Sequence, residues 1–257
     1  MSMARGQNGE GDSRVRLATG VFASGVLGAT AYWMFMSPYS QSLGPFPYRA
    51  GLQTMPSLKT VALTFDDGPN EPYTSEIAAF LDERGIKATF FQVGLCVARH
   101  PKVTAALAEA GHVIGNHSYS HNFSRGWTRR AIENEITLSQ AVFREHLRRQ
   151  PTLYRPPWLA RTPALFDVLR ERMMQPVSGE FCHALEVLHL PAHRIARGAL
   201  AKARAGSLII FHDGYNAEGG DRSRTVAAVR VVVGELSAQG YHFETVDRML
   251  GVAAYVD

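Results

Sequence analysis

Residues 61–69 read VALTFDDGP: a short apolar run, Val61 to Phe65, then the paired carboxylates Asp66 and Asp67, then a Gly-Pro turn. An apolar run of this length without alternation fits a strand covered on both faces, as in a parallel sheet. Working outward, Ile77, Phe80, Leu81 and Arg84 recur at helical spacing and stop at Gly85. Ala88–Phe91 and Val113–Gly115 read as further strands, with a helix from Pro101 between them. Ile132, Ile136, Phe143 and Leu147 mark one face of a long helix. Strands are then expected at Leu153–Arg155, Met174–Val177, Ser207–Phe211 and His242–Val246, and helices at Pro163–Arg172, Ala192–Ala205 and Val226–Gln239. Six or seven strand–helix units in about 200 residues predict a parallel α/β fold, open or closed.

The whole chain has 257 residues, of which 27 Lys and Arg face 23 Asp and Glu for a net charge of +4. At 46% hydrophobic and 19% charged it is neither disordered nor fibrous. Two cysteines exclude a disulfide scaffold and a cysteine-rich zinc module. Scattered basic residues give no support to a nucleic-acid partner. The first segment departs from this average. Leu17–Met36 carries no charge and follows Arg14 and Arg16. Twenty apolar positions match a hydrocarbon core of roughly 30 Å, and the preceding arginines predict a cytoplasmic N-terminus with the remainder outside. Small residues at Ala29-Thr30-Ala31 equally suit a cleaved signal peptide. The expected organisation is a tail (1–16), a transmembrane helix or signal peptide (17–36), a Pro/Gly-rich linker (37–56) and one catalytic domain (57–257).

Polar residues fall where those strands end. Asp66 and Asp67 follow the first strand, His117 and His121 the third, Arg155 ends a later one and His212-Asp213 another. In parallel α/β folds the C-terminal strand ends share the face that binds ligands. Two histidines four residues apart are a weak signal alone; with a carboxylate on a neighbouring strand end they suit a metal with open coordination positions. Asp67, His117 and His121 are therefore the expected ligands, and Asp66 the base that takes a proton from water. His212 is the candidate acid, since a departing amide nitrogen must be protonated. Arg155 is placed to orient Asp66. Trp158 offers an aromatic face that serves a sugar ring or plain packing equally.

TFDDG (64–68), HSYSH (117–121), RPPW (155–158) and LIIFHD (208–213) resemble, in order, the motifs of the polysaccharide deacetylase family, whose members include chitin, chitooligosaccharide and peptidoglycan N-acetylglucosamine deacetylases. The resemblance spans about Lys59 to Leu250. It implies a distorted (β/α)7-type barrel and one divalent ion, most often Zn2+, with Co2+, Ni2+ or Mn2+ as alternatives. It implies Asp67, His117 and His121 as ligands, Asp66 as base and His212 as acid. Ile210 would line the acetyl-methyl pocket, and the N–H after Pro157, that of Trp158, would help hold the oxyanion. The implied partner is an N-acetylated glycan of the cell envelope or exterior. One departure stands out. Many members carry an Asp-Trp pair on the strand before the last, whose Asp tunes the histidine, whereas residues 175–183 here read QPVSGEFCH. Asp247 or Glu180 is the expected substitute. A metal amidohydrolase acting on a small amide, and a glycan-binding protein without catalysis, are the competing readings. His183, His189 and His193 lack accompanying carboxylates and are expected on the surface or in loops. Cys96 and Cys182 are expected to be either a disulfide or two buried thiols.

Overall fold

The computed structural model describes residues 25–51 and 59–256. The run quoted first forms β1 (Thr60–Asp66), with all seven residues buried. It is the centre of an eight-stranded sheet. β2 (Thr89–Gln92) and β8 (Leu208–His212) flank it in parallel, in a register that sets Phe65 beside Phe90 and Phe211. The three rings stack at centroid distances of 4.9 and 5.8 Å. β3 (Val113–Asn116), β5 (Leu153–Tyr154) and β6 (Gln175–Pro176) continue one side in parallel, and β7 (Glu180–Phe181) continues the other. β9 (His242–Phe243) pairs with the start of β1. β4 (Gln150–Pro151) and β10 (Tyr255–Val256) form a separate antiparallel pair that periodicity did not reveal.

β6 and β7 stand at opposite ends of the strand order, yet only residues 177–179 separate them in the chain. So short a link forces the two edges together, and the sheet must curl. The outer layer comprises α2 (Tyr73–Asp82), α3 (Gly94–Arg99), α4 (Pro101–Glu109), α5 (Arg129–Leu147), α6 (Pro163–Glu171), α7 (Ala192–Lys202) and α8 (Ser223–Ala238), with the short α9 (Val246–Leu250) after β9. The main apolar core lies between α2, α7, α8 and the central strands, with Ile77, Leu81, Ile195, Val229 and Val232 against Leu63, Phe65 and Ile209.

Three segments differ from expectation. The last strand was expected to reach Val246, but it stops at Phe243 and Val246 opens α9, its N–H donating to Thr89 Oγ1 at 3.0 Å. Of the uncharged run 17–36, residues 17–24 lie outside the described residues, and residues 25–35 form a helix, α1. Among the described residues no helix is long and apolar enough to cross a membrane. Residues 37–50, read as part of a linker, are packed against the curled sheet, with Ser40 and Phe46 fully buried. Ser178 N–H donates to Pro47 O and Leu208 N–H to Tyr48 O, so this strap supplies backbone partners where β6 and β7 do not pair with each other. Pro/Gly composition marks irregular backbone; it does not distinguish a free tether from one held by tertiary hydrogen bonds.

Candidate active site

Asp66 closes β1, fully paired between β2 and β8, and is 3% exposed. Its Oδ1 accepts from Arg155 Nη1 at 2.7 Å. Arg155 itself is completely buried; it also donates to Thr64 Oγ1 (2.7 Å) and Ser178 O (2.7 Å), and lies 4.0 Å over the Phe91 ring. Arg155 thus ties the end of β1 to the seam between β6 and β7, and it occupies only one oxygen of Asp66. Asp67 then turns the other way, because its φ of 76° is left-handed, a region that Asp tolerates. The adjacent carboxylates therefore diverge, as a division between base and ligand requires.

The segment 117–121 is shaped from outside. Glu135 of α5, 4% exposed, accepts from the N–H groups of Tyr119 (3.1 Å) and Ser120 (2.8 Å). Ser118 and His121 adopt positive φ of 67° and 51°. The result brings His117 Nε2 to 3.3 Å and His121 Nε2 to 3.0 Å from the same atom, Asp67 Oδ1. His117 Nδ1 lies 2.6 Å from Arg155 O. A carbonyl only accepts, so that nitrogen carries a proton and Nε2 is the ring atom turned to the carboxylate. An imidazole nitrogen and a carboxylate oxygen this close need a proton or a cation between them. Asp67 Oδ1 is buried with no hydrogen-bond partner, and the three ligand atoms lie within 4.8 Å of one another. Burial pushes the Asp67 carboxyl up, but His121 and His117 outweigh it and hold it well below the usual carboxylate range. The donor set, one anionic oxygen and two imidazoles, can hold a divalent metal ion.

His212 ends β8, beside Asp66 in register. Its Nδ1 donates to Glu186 Oε2 at 2.6 Å. Burial lowers the His212 pKa, but the Glu186 carboxylate more than reverses this and holds it at about 9. Glu186 was not anticipated. It lies in a short 3-10 turn, Glu186–Leu188, where no strand pattern or motif marks it, and only the fold brings it beneath β8. Of the two expected substitutes, Glu180 is engaged by Arg49 (2.7 and 2.9 Å) and Ser207 (2.7 Å). Asp247 stands in α9, where Oδ1 is buried without a partner, and it lines a separate cavity with Lys87 and His112.

Asp66, Asp67, His117, His121, Trp158 and His212 open onto one cavity of about 280 Å³. The model of the polysaccharide deacetylase family matches residues 54–177. A peptidoglycan-N-acetylglucosamine deacetylase of Bacillus cereus is 34% identical over 193 residues, which cover 75% of this chain and 88% of that protein. The chain belongs to the polysaccharide deacetylase family. A second member, a chitooligosaccharide deacetylase of Azorhizobium caulinodans, is 31% identical over 195 residues, 71% of this chain and 90% of that one. Among solved structures of the family, a peptidoglycan N-acetylglucosamine deacetylase superposes with a TM-score of 0.71 at 25% identity, covering 80% of this chain and 93% of the other.

Not every residue suggested by the polysaccharide deacetylase motifs reaches the cavity wall. Trp158 does, with φ of 53° turning its ring against His121 at 4.3 Å. Pro157 lines a smaller neighbouring cavity with Phe123, Ile132 and Leu165, while Pro156 takes the main wall. Ile210 is completely buried among Phe46 and Leu159, one layer below the cavity; Leu159 and Val187 are aliphatic side chains that line it. His183 also lines the wall, without a carboxylate partner among the described residues. Cys96 and Cys182 are free and buried.

Proposed function

We propose that this chain hydrolyses the N-acetyl group of N-acetylhexosamine residues in an envelope polysaccharide. The observation that carries this reading is the convergence, in one cavity, of an Arg-held carboxylate, a carboxylate–imidazole triad fit for a cation, and a histidine charged by its own carboxylate. A distorted (β/α)7 barrel is the arrangement that brings these strand ends to one rim. Asp67, His117 and His121 would hold the ion, for which zinc best suits the donor set, with cobalt, nickel or manganese as the alternatives. When bound, such an ion supplies Lewis-acid chemistry, lowering the pKa of water and polarising a carbonyl. Asp66 takes the proton of the attacking water, whose oxygen forms the new bond to the acetyl carbon. The Trp158 N–H supports the developing oxyanion. As the carbon–nitrogen bond breaks, His212 transfers its Nε2 proton to the nitrogen, releasing amine and acetate. Arg155 orients Asp66, and Glu186 keeps His212 charged.

The named substrates of the two relatives, peptidoglycan and chitooligosaccharide, support a glycan over a small amide. The uncharged run after Arg14 and Arg16 supports placement of the domain outside the cytoplasm, whether the part of the run ahead of Tyr32 anchors the chain or is removed by cleavage after Ala31. Mass spectrometry of N-acetylglucosamine oligomers and peptidoglycan fragments, incubated with the zinc-loaded chain, tests the function. Loss of one acetyl mass per reaction, abolished in Asp66→Asn, is expected. Turnover that survives a chelator, or oligomers that stay fully acetylated, would overturn it.

A further inference from the structure

A cavity of about 280 Å³ sits near the lower end of small-ligand clefts, roughly 300–1,000 Å³, and admits about one sugar. The neighbouring sugars of a glycan chain must therefore lie across its rim. Besides the half-buried Phe181, three exposed aromatic residues line the cavity. Trp158 and Tyr215 come from segments that follow barrel strands, and are 36% and 39% exposed. The third, Tyr32, is 57% exposed and belongs to α1, outside both the sheet and the family-matched segment.

The position of Tyr32 is fixed by the fold. Met36 and Ser37 N–H both donate to Tyr32 O (2.9 and 3.0 Å), which closes the end of the helix. Directly beyond it, Arg161 N–H donates to Phe35 O at 3.0 Å. The Arg161 guanidinium, fully buried, has no carboxylate partner among the described residues and donates instead to Ser37 O (2.7 Å), Ser40 O (3.2 Å) and Leu159 O (3.1 Å). A buried cation without an anion is costly unless its donors are satisfied. Releasing the strap would strip Arg161 of most of its acceptors, so the strap holds. Ser178 extends the tie: its hydroxyl donates to Pro38 O at 2.8 Å, while its carbonyl accepts from Arg155, which orients Asp66. Residues 32–40 are thus bound to the backbone that carries the reacting groups. Packing does not account for Tyr32, a residue more than half exposed.

We infer that Tyr32 forms a subsite for the sugar that flanks the reacting N-acetylhexosamine, its ring covering the apolar C–H face of that neighbour. This rests on reading the cavity as a glycan deacetylase site. A rigid aromatic supplies apolar contact at low entropic cost, and its hydroxyl is left to meet sugar hydroxyls. The N-terminal strap is then part of the substrate cleft, and preference for chain length is set partly from outside the barrel.

The test compares the full-length, zinc-loaded chain with Tyr32→Ala and Tyr32→Phe, using N-acetylglucosamine and its pentamer. Calorimetry measures binding and acetate release measures turnover. Loss of an aromatic contact of ordinary strength predicts pentamer binding weaker by about five- to tenfold in Tyr32→Ala. The preference of kcat/KM for pentamer over monomer should fall by the same factor, through KM, with Tyr32→Phe recovering most of it. Equal losses on pentamer and monomer, unchanged pentamer affinity in Tyr32→Ala, or a wild-type chain that does not bind the pentamer would each overturn the subsite. A wild-type chain that binds the pentamer in a Tyr32-dependent way but releases no acetate would overturn the deacetylase reading and leave the subsite standing.

Discussion

Glu186 Oε2 lies 2.6 Å from Nδ1 of His212, and Glu186 Oε1 accepts from the His212 N–H (3.2 Å) and the Thr225 hydroxyl (2.7 Å). Both side chains are largely out of solvent. Burial pushes the Glu186 carboxyl up and the His212 imidazolium down, but their mutual attraction reverses both effects. The pair therefore stands charged at neutral pH, with Nε2 of His212 left to act as the acid.

The pH dependence follows from that geometry. With His212 at about 9, above the ordinary imidazole value, the acid form persists through neutral pH, and the alkaline limb of kcat falls as pH rises through about 9. A cation held at Asp67 repels the imidazolium, so the limb of the loaded enzyme lies at or below that pH. The contribution of the pair to stability has the same sign. On the imidazolium side it is complete below roughly pH 6.5 and is lost as pH rises through about 9; on the carboxylate side, Glu186 being held below its ordinary value, it is lost as pH falls into the acid range. Glu186→Gln should shift the limb downward and lower kcat at pH 8 by roughly 10²-fold. A pH–rate profile of the variant checks both, and an unmoved limb would assign the charge on His212 to another group.

Removal of Arg155 should be costly in two ways. Arg155→Met leaves Asp66 buried without its cation, which destabilises by about 3–5 kcal/mol. Thermal unfolding should show a drop in Tm of roughly 10 °C. Arg155→Lys should not restore activity, because one ammonium cannot reach Thr64, Asp66 and Ser178 in the planar arrangement of the guanidinium. Arg155→Met combined with Asp66→Asn should regain part of the stability and none of the turnover.

The triad predicts one metal ion per chain. Elemental analysis of the zinc-loaded protein should approach a stoichiometry of one, and Asp67→Ala or His121→Ala should abolish it. Chelation should lower Tm, since an ion bound only by the folded state stabilises that state by mass action. It should also stop acetate release, with zinc restoring both.

Gly68 tests the closeness of β1 and β8. A Cβ at this position would lie 2.2 Å from Asp213 Oδ2, a carboxylate that is itself buried and bonded to Thr74 at 2.5 Å. Gly68→Ala should destabilise by roughly 1–3 kcal/mol as an overpacked site. Gly68→Ala with Asp213→Gly should recover much of that loss in denaturant titrations.

Both thiols should be inert in the native protein. Burial pushes Cys96 up to about 12 and Cys182 well above its ordinary value. A thiol-specific colorimetric reagent should count none at pH 8 and two after denaturation, matching the two cysteines of the chain.

The amino-acid sequence by itself determined the strand–helix alternation, the parallel sheet, the family, and the rim on which Asp66, Asp67, His117, His121, Arg155 and His212 meet. These were legible because they obey local rules: an apolar run ends, and a polar pair follows at the end of the sheet that binds ligands. It left open what depends on distant pieces of chain. Glu186 sits in an irregular turn with no period to mark it, and reaches His212 only once β7 and β8 pair. Glu135 shapes the histidine segment from the buried face of a helix, where a carboxylate reads as an exception to the apolar pattern. Ile210 and Pro157 follow their motifs, yet the curl of the sheet and the left-handed turn at Trp158 set them behind the cavity wall. Residues 37–50 carry the composition of a linker and serve as a strap, because Arg161 and Ser178 need their carbonyls. Sequence patterns record how a segment meets water. Which buried donor finds which acceptor across more than a hundred residues is decided only when the chain closes on itself.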